Sequence, residues 1–479
     1  VMGQTTLQQN KWSAALSKAL NENDTRTLIG CQNHYAIKRL FDEDPINELI
    51  FNTAQQIEGL PRHYSIHAAG VVLSDHDLSD VIPVQASTDG MLLTQFAKKQ
   101  VEKVGLLKMD LLGLRNLTLL DDTLQIVLNN YDASFNITRI NLNDQKTLAL
   151  FENADTDGVF QFESDGIKQL LVRLKPSCFE DIVAANALYR PGPMENIGEF
   201  IARKHGQKPI VYYDKLLEPI LASTYGIIVY QEQVMQVVAK LAGFDLSEAD
   251  ILRRAISSKD DELLAKIKQR FISGAVKHNV EQKVAEQIYE YIAKFGGYGF
   301  NRSHSVAYSK LAFELAYLKT YYPAAFFTAL LNTNSSDKTK KYLSEIKQRK
   351  IKVFPPSINQ SQGYFTLRNN SIYFGLKNIK TLSFNFIVAI LSERKHHGKF
   401  KSLADFMQRL DKKFLKEDQI EALIYSGAFD EFKQSRSELL AAYPGILSNI
   451  ELSGDSIELF KMLAPKQNKQ VQILSQEFL

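Results

Sequence analysis

Apolar positions along this chain follow two rhythms. Through residues 11 to 60 they keep helical spacing: "PINELIFNTAQQIEGL" carries Ile46, Leu49, Ile50, Ala54 and Ile57 on one face, with Gly59 near its end. Over residues 61 to 112 the segments become short and β-branched. "HAAGVVLS" reads as a strand, "VIPVQ" and "MLLTQF" flank a tight turn at Asp89-Gly90, and "VGLLKMDLL" is a further strand, so a small sheet is expected. Beyond Leu114 helical spacing returns. "SEADILRRAI" opens with Ser247 and carries Asp250 three positions on, a capping-box-like start. Leu264, Ile267, Phe271 and Ala275 mark the next helix. Val284, Ile288, Tyr291 and Phe295 mark another, which meets Gly296-Gly297. Leu311, Leu315, Leu318 and Tyr322 run up to Pro323. A polar stretch near 332 to 341 marks a boundary, and "YFTLRNNSIYFGL" reads as a hairpin across Asn369-Asn370. The expected class is α+β, mostly helical, with short helices over the last hundred residues.

Composition narrows this picture. The chain has 479 residues, more than one core of ~150 residues holds, so several subdomains are expected. Hydrophobic content of 45% and charged content of 23% are those of a soluble globular protein. A net charge of +3 neither demands nor excludes a nucleic-acid partner, which needs only a local basic face. Two cysteines, Cys31 and Cys178, exclude a disulfide scaffold and a cysteine-rich zinc site. No run of ~18 apolar residues occurs and no signal peptide opens the chain, so no membrane partner and a cytoplasmic location are expected. The first residues, "VMGQTTLQQNKWSAAL", read as protein interior, and a fragment is expected.

The chemistry concentrates in a few stretches. In "GLLKMDLLGLRNLTLLDD" strand alternation puts Lys108 and Asp110 on one face and Leu107, Met109 and Leu111 on the other, which should pack inward. The charged pair has two readings: a salt bridge on a wet face, or a metal ligand beside a phosphate-binding lysine. One carboxylate cannot hold two ions. Asp75 with Asp77 and Asp155 with Asp157 are D-x-D arrangements, but both sit among turn-forming residues and read as turns. Arg190 precedes Pro-Gly-Pro, which stiffens a turn. Arg253 and Arg254 are adjacent on a helix and should fan ~100° apart, with Lys259 just beyond. "FGGYGFNRSHSVAYSK" joins two helices; its glycines admit a close backbone or flat ligand, and its helix N-terminus offers N–H groups to an anion. A helix–helix turn with a Ser cap is the plainer reading. His63 and His67 show no metal-ligand spacing, and Gln231 and Gln233 either bind bases or cap a helix. Around "HHGKFKSLADF" two short helices flank a basic middle, and Gly427 is the one glycine placed to open a backbone N–H to phosphate.

Six stretches together carry a resemblance. They are the Gly105–Asp122 run, "GVFQFESDGIKQLLVRLKPSCFEDIVAANALYRPGP", "TYGIIVYQEQVMQ", "ADILRRAISSKD", "GYGFNRSHSVAYS" and "LIYSGAFD". In that order they resemble the bacterial DNA polymerase III alpha family (C-family, DnaE type). The resemblance implies templated nucleotidyl transfer, in which a primer 3′-hydroxyl attacks the α-phosphate of a deoxynucleoside triphosphate. It implies a polymerase-β-like palm in which three aspartates hold two Mg²⁺. Asp110 matches the third of these, and Lys108 the neighbouring active-site lysine. Arg190, Arg253 and Arg254 match residues facing the triphosphate, and Tyr298, Asn301, Ser303 and His304 the segment around nucleotide and template. Lys259, Arg302, Lys399 and Lys401 would meet primer-template DNA.

The departures matter too. The family's P-D-[IF]-D-x-D-F motif does not occur, so this chain alone is expected to be inactive. After the arginine pair stand Ser257, Ser258 and only Lys259, where relatives carry a run of lysines. The hairpin glycine pattern is incomplete. No histidine-rich PHP domain, clamp-binding peptide or OB-fold is found, so a sliding clamp and other replisome subunits would be met outside this chain. The expected division is a thumb-like region over 1–60, the last part of the palm over 61–115 and fingers over 116–331. A hairpin-bearing extension over 332–394 and a helix-hairpin-helix-like region over 395–435 follow, with 436–479 unassigned. The rivals are a non-catalytic DNA-binding scaffold on a degenerate polymerase fold and a nucleotidyltransferase acting on a small substrate.

Overall fold

The structure is a computed structural model that describes residues 6–22, 27–60, 66–67, 69–87, 90–190, 192–258, 261–296, 299–333 and 338–453. It divides into two compact units, Val1–Gly113 and Leu114–Leu479.

In the first unit the helices Thr6–Glu22, Tyr35–Glu43 and Pro45–Ile57 close a small core around Cys31, Ile37, Leu40 and Phe51. Asp44 starts the third of these by accepting the Ile46 N–H at 3.0 Å, with Pro45 in the first helical position. The strands that follow are β1 (Gly70–Leu73), β2 (Val84–Ala86), β3 (Leu92–Thr94) and β4 (Leu107–Asp110). They form two separate antiparallel ladders, β1 with β4 and β2 with β3, where one small sheet was expected. The turn residue Asp89 lies outside the described residues. The β1–β4 register pairs Gly70 with Asp110 and Val72 with Lys108, so the charged pair shares a face as alternation requires. The other face corrects the expectation. Leu107, Met109 and Leu111 do not pack inward; they are exposed together with Val71 and Leu73. A two-stranded ladder has no second layer of its own, and alternation assigns side chains to faces without deciding which face is covered.

In the second unit the helices Asp165–Leu174, Phe179–Leu188 and Arg302–Tyr321 surround Phe151, Phe162, Ile182 and Phe313. A second core lies among Gln231–Ala242, Leu246–Ser258, Asp261–Lys277 and Gln282–Gly296, centred on Leu241, Leu252, Phe271 and Ile288. The capping box sits two residues earlier than expected. Asp245 accepts the Glu248 N–H at 2.8 Å while Glu248 accepts the Asp245 N–H at 3.1 Å, so Ser247 and Asp250 are not the cap. Strands β5 (Val353–Phe354), β6 (Thr366–Arg368) and β7 (Ser371–Tyr373) form a sheet in the order β5-β7-β6. The expected hairpin is there: Asn369 and Asn370 both take positive φ, 47° and 55°, as a two-residue type I′ turn needs. Helices Phe384–His397, Leu403–Arg409 and Glu417–Tyr425 pack around Phe386, Phe406 and Phe429. Leu439 and Tyr443 of the Arg436–Ser453 helix join that core, so part of the unassigned tail belongs to it. Thr381 holds φ 80° in the turn closed by the Leu382 N–H to the Ile379 carbonyl, a place where a β-branched residue is strained.

The most costly burial is Lys319. Its side chain is fully buried, and Nζ donates to the carbonyls of Asp155 and Asp157, both at 2.9 Å. It also meets the Asp155 carboxylate at 3.1 Å and that of Glu345 at 2.8 Å. Arg349 bonds both acids as well. Asp157 pairs with Lys168 at 2.6 Å and Lys341 at 2.7 Å. The second D-x-D is thus a structural anchor in a turn. Burial pushes the Asp155 carboxyl up, but Lys319, Glu345 and Arg349 together bring it below the ordinary range. Burial raises the Glu345 carboxyl, and Asp155 beside it adds to the rise. Asp181 is likewise brought low: burial opposes ionisation, but the Ser177 N–H and Lys204 outweigh it.

Replacing Lys319 by Met should leave two acids facing Arg349 alone and destabilise the second unit by about 3 kcal/mol, read from denaturant unfolding. The depressed carboxyls of Asp155 and Asp181 stabilise the fold above the unfolded carboxylate value, ~3.9, and that contribution is lost as pH falls through their folded values. The raised Glu345 acts in the opposite sense, losing its contribution as pH rises through its folded value. Melting followed by circular dichroism should therefore weaken below about pH 4, with a shallower acid limb in Asp181→Asn.

Candidate functional site

Two clusters, one in each unit, gather some of the residues singled out by the sequence. In the first unit Lys108 Nζ lies 2.5 Å from Asp110 Oδ1. His67 Nδ1 lies 4.0 Å from the same oxygen. Side-chain exposure is 15% for Lys108, 43% for Asp110 and 51% for His67, so the lysine is sheltered and the carboxylate opens outward. Gly70 makes this possible. A Cβ there would stand 2.8 Å from Lys108 Cε and 2.9 Å from His67 Nδ1, so both side chains lean over a bare backbone. The Lys108 hydrogen bond holds the Asp110 carboxyl below its ordinary range, with smaller help from His67 and Lys98. Spacing placed the Lys108–Asp110 pair. It did not find His67 or Gly70, although a glycine inside a strand pattern is a signal of close approach.

In the second unit the loop before the Arg302 helix is pinned to the start of the Gln231 helix. Phe300 N–H donates to the Val229 carbonyl at 3.2 Å and Gln231 N–H to the Phe300 carbonyl at 2.9 Å, a single parallel bridge. Asn301 caps the helix by accepting the His304 N–H at 2.8 Å. Glu232 receives both the Asn301 amide and the Arg302 N–H at 2.9 Å. The Arg302 guanidinium reaches Glu180 at 2.9 Å. The Arg190 guanidinium lies 4.0 Å over the Phe300 ring, and Phe300 meets His304 edge-on at 5.3 Å. Burial, then the Arg190 charge, holds the His304 imidazole below its ordinary value. Ser303 is exposed beside it. Arg190, Phe300, Asn301 and His304 thus form one surface, while Tyr298 lies outside the described residues. Gln233 resolves as structural: its carbonyl oxygen accepts the N–H groups of Val229 and Tyr230, and it is buried.

Arg253 and Arg254 correct a second expectation. They do not fan apart; both turn back to Asp250, Arg253 at 2.7 Å on one oxygen and Arg254 at 2.7 Å on the other. Long side chains at i+3 and i+4 reach the same carboxylate even though their Cα–Cβ bonds diverge. Lys259 lies outside the described residues. Lys399 and Lys401 are exposed between the Phe384 and Leu403 helices and make no ion pair among the described residues. Gly427 does not open onto solvent: a Cβ there would meet Arg436 and Asp430, which pair with each other at 2.7 Å. The first D-x-D is a cap, Asp77 accepting the Ser79 N–H at 2.9 Å.

No three His, Cys, Asp or Glu side chains converge on a possible metal position among the described residues. Asp110, with Lys108 on it, would serve as one ligand and does not make a two-ion site by itself.

Three family models match the chain in succession. The bacterial DNA polymerase III alpha NTPase domain matches residues 1–113, the bacterial DNA polymerase III alpha subunit finger domain 116–279, and a helix-hairpin-helix motif 350–439. The DNA polymerase III subunit alpha of Bacillus subtilis is 46% identical over 412 residues, covering 86% of this chain and 37% of that protein. That of Halalkalibacterium halodurans is 45% identical over 429 residues, covering 89% and 38%. That of Staphylococcus epidermidis is 41% identical over 425 residues, covering 88% and 40%. The chain spans well under half the length of these curated relatives. Matched in order by two models of one family and by these relatives over most of its length, the chain belongs to the bacterial DNA polymerase III alpha family.

Proposed function

We propose that this chain supplies part of a DNA-directed DNA polymerase that replicates DNA by two-metal transfer of deoxynucleotides to a primer 3′-end. The observation that carries the reading is the Lys108–Asp110 pair, standing on an open strand face inside the match to the NTPase domain. Mg²⁺, when bound, lowers the cost of charge on the attacking and leaving oxygens. Asp110 would be one of its carboxylates, the others coming from outside this chain, which alone is inactive. Lys108, freed from Asp110, would offset charge on a phosphate. Arg190, steadied over Phe300, and the Arg253–Arg254 pair would receive the triphosphate. Neutral His304, with Asn301 and Ser303, would border nucleotide and template, and Tyr298 belongs to the same segment by sequence. Lys399 and Lys401, inside the helix-hairpin-helix match, would touch the DNA backbone, as would Lys259, and Arg302 once released from Glu180. Sliding clamp and other replisome subunits would bind regions beyond this chain.

Among the described residues no three His, Cys, Asp or Glu side chains converge, and the second reading is a non-catalytic DNA-binding scaffold. A chimera decides between them: this chain in place of the matching 412 residues of the Bacillus subtilis relative. Primer extension by the chimera is expected, and Asp110→Asn should lower it at least about a thousandfold with duplex binding retained. A chimera that binds primer-template but never extends it supports the scaffold. In the same chimera Arg254→Ala should weaken apparent triphosphate affinity about fivefold, leaving the salt dependence of duplex binding unchanged.

A further inference from the structure

Lys108 has its ammonium committed to Asp110, so the anion-binding capacity of this face rests on what else stands there. Lys98 leans toward Glu102 at 3.7 Å. His67 is different. Its Nδ1 accepts the Ala69 N–H at 3.2 Å, which places the ring proton of the neutral form on Nε2. Nε2 has no partner among the described residues, and the ring is half exposed. The ring is held from two sides: Nδ1 by the backbone, and its edge by the gap at Gly70, where it nearly touches the space a Cβ would fill. A donor fixed in tautomer and orientation, beside a carboxylate already neutralised by a lysine, suits an anion rather than another cation. At 4.0 Å from Asp110 Oδ1, Nδ1 is beyond hydrogen-bond reach of that carboxylate, and the ring stays on the same face.

We infer that His67 is a phosphate-binding residue of the Lys108–Asp110 face, presenting Nε2–H to an oxygen of a pyrophosphate unit, whether in a nucleoside triphosphate or released as inorganic pyrophosphate. This rests on the polymerase reading and adds a contact to it. The two nitrogens of the ring have separate duties, which two amide variants separate. In His67→Asn the short side chain can keep the acceptor for Ala69 but loses the distal donor. In His67→Gln a donor remains near the Nε2 position.

The test is calorimetric titration of the full chain with inorganic pyrophosphate and Mg²⁺, with melting curves to show that each variant is folded. His67→Asn should weaken binding about tenfold, the scale of one hydrogen bond to a charged group, and His67→Gln should stay within about threefold of the parent. Unchanged affinity in His67→Asn overturns the assignment, and so does an equal loss in both variants, which would mean that the ring only shapes the loop. Titration with dATP in place of pyrophosphate separates the two sources: a loss confined to one assigns the contact to that species. A parent chain that binds duplex DNA in a salt-dependent way but no pyrophosphate overturns the His67 contact and leaves the polymerase reading standing; binding of neither overturns both.

Discussion

The second unit is organised around one buried ammonium. An ion the size of Lys319 Nζ costs several kcal/mol to take out of water, and the chain meets that cost with two carbonyls and two carboxylates. Those partners come from two places, the turn at Asp155–Asp157 and the Thr339–Gln348 helix that carries Glu345, while the lysine itself stands on the Arg302–Tyr321 helix. Because one ammonium bonds to both, the three segments are fixed to each other. The Arg302 helix is the same rod whose first turn holds Asn301, Arg302 and His304. Its anchored end sets where its working end lies.

The working end is tuned by neighbours that contribute no chemistry of their own. Glu232 satisfies the Asn301 amide and the Arg302 N–H together, and Glu180 takes the guanidinium. Phe300 gives Arg190 an aromatic face, so the cation is oriented without being neutralised. In the first unit Gly70 has the comparable part, since its missing side chain is what lets Lys108 settle on Asp110.

What could be read in advance was local. Alternation put Lys108 and Asp110 together, and the Asn369–Asn370 turn and most helix spacings followed from residues a few positions apart. Partners far away in sequence were not readable. Arg302 and Glu180, or Lys319 and Asp155, are joined by packing, and periodicity holds no term for that. Leu107, Met109 and Leu111 show the same limit from the other side: the pattern sorts a strand into faces, and only the surrounding layers decide which is dry. The shift of the cap from Ser247 to Asp245 shows that several polar residues before a helix are chemically able to cap it, and the fold picks one.

Asp250 has a consequence for recognition. Both guanidiniums already hold a carboxylate oxygen at 2.7 Å, so no incoming anion meets a bare double charge. Attachment there is an exchange of one anion for another, and its strength is a difference between two similar quantities. A weak monoanion gains little from such a swap, whereas a multidentate polyanion can replace the carboxylate on both arginines at once. A helix so arranged would rank anions by charge and reach.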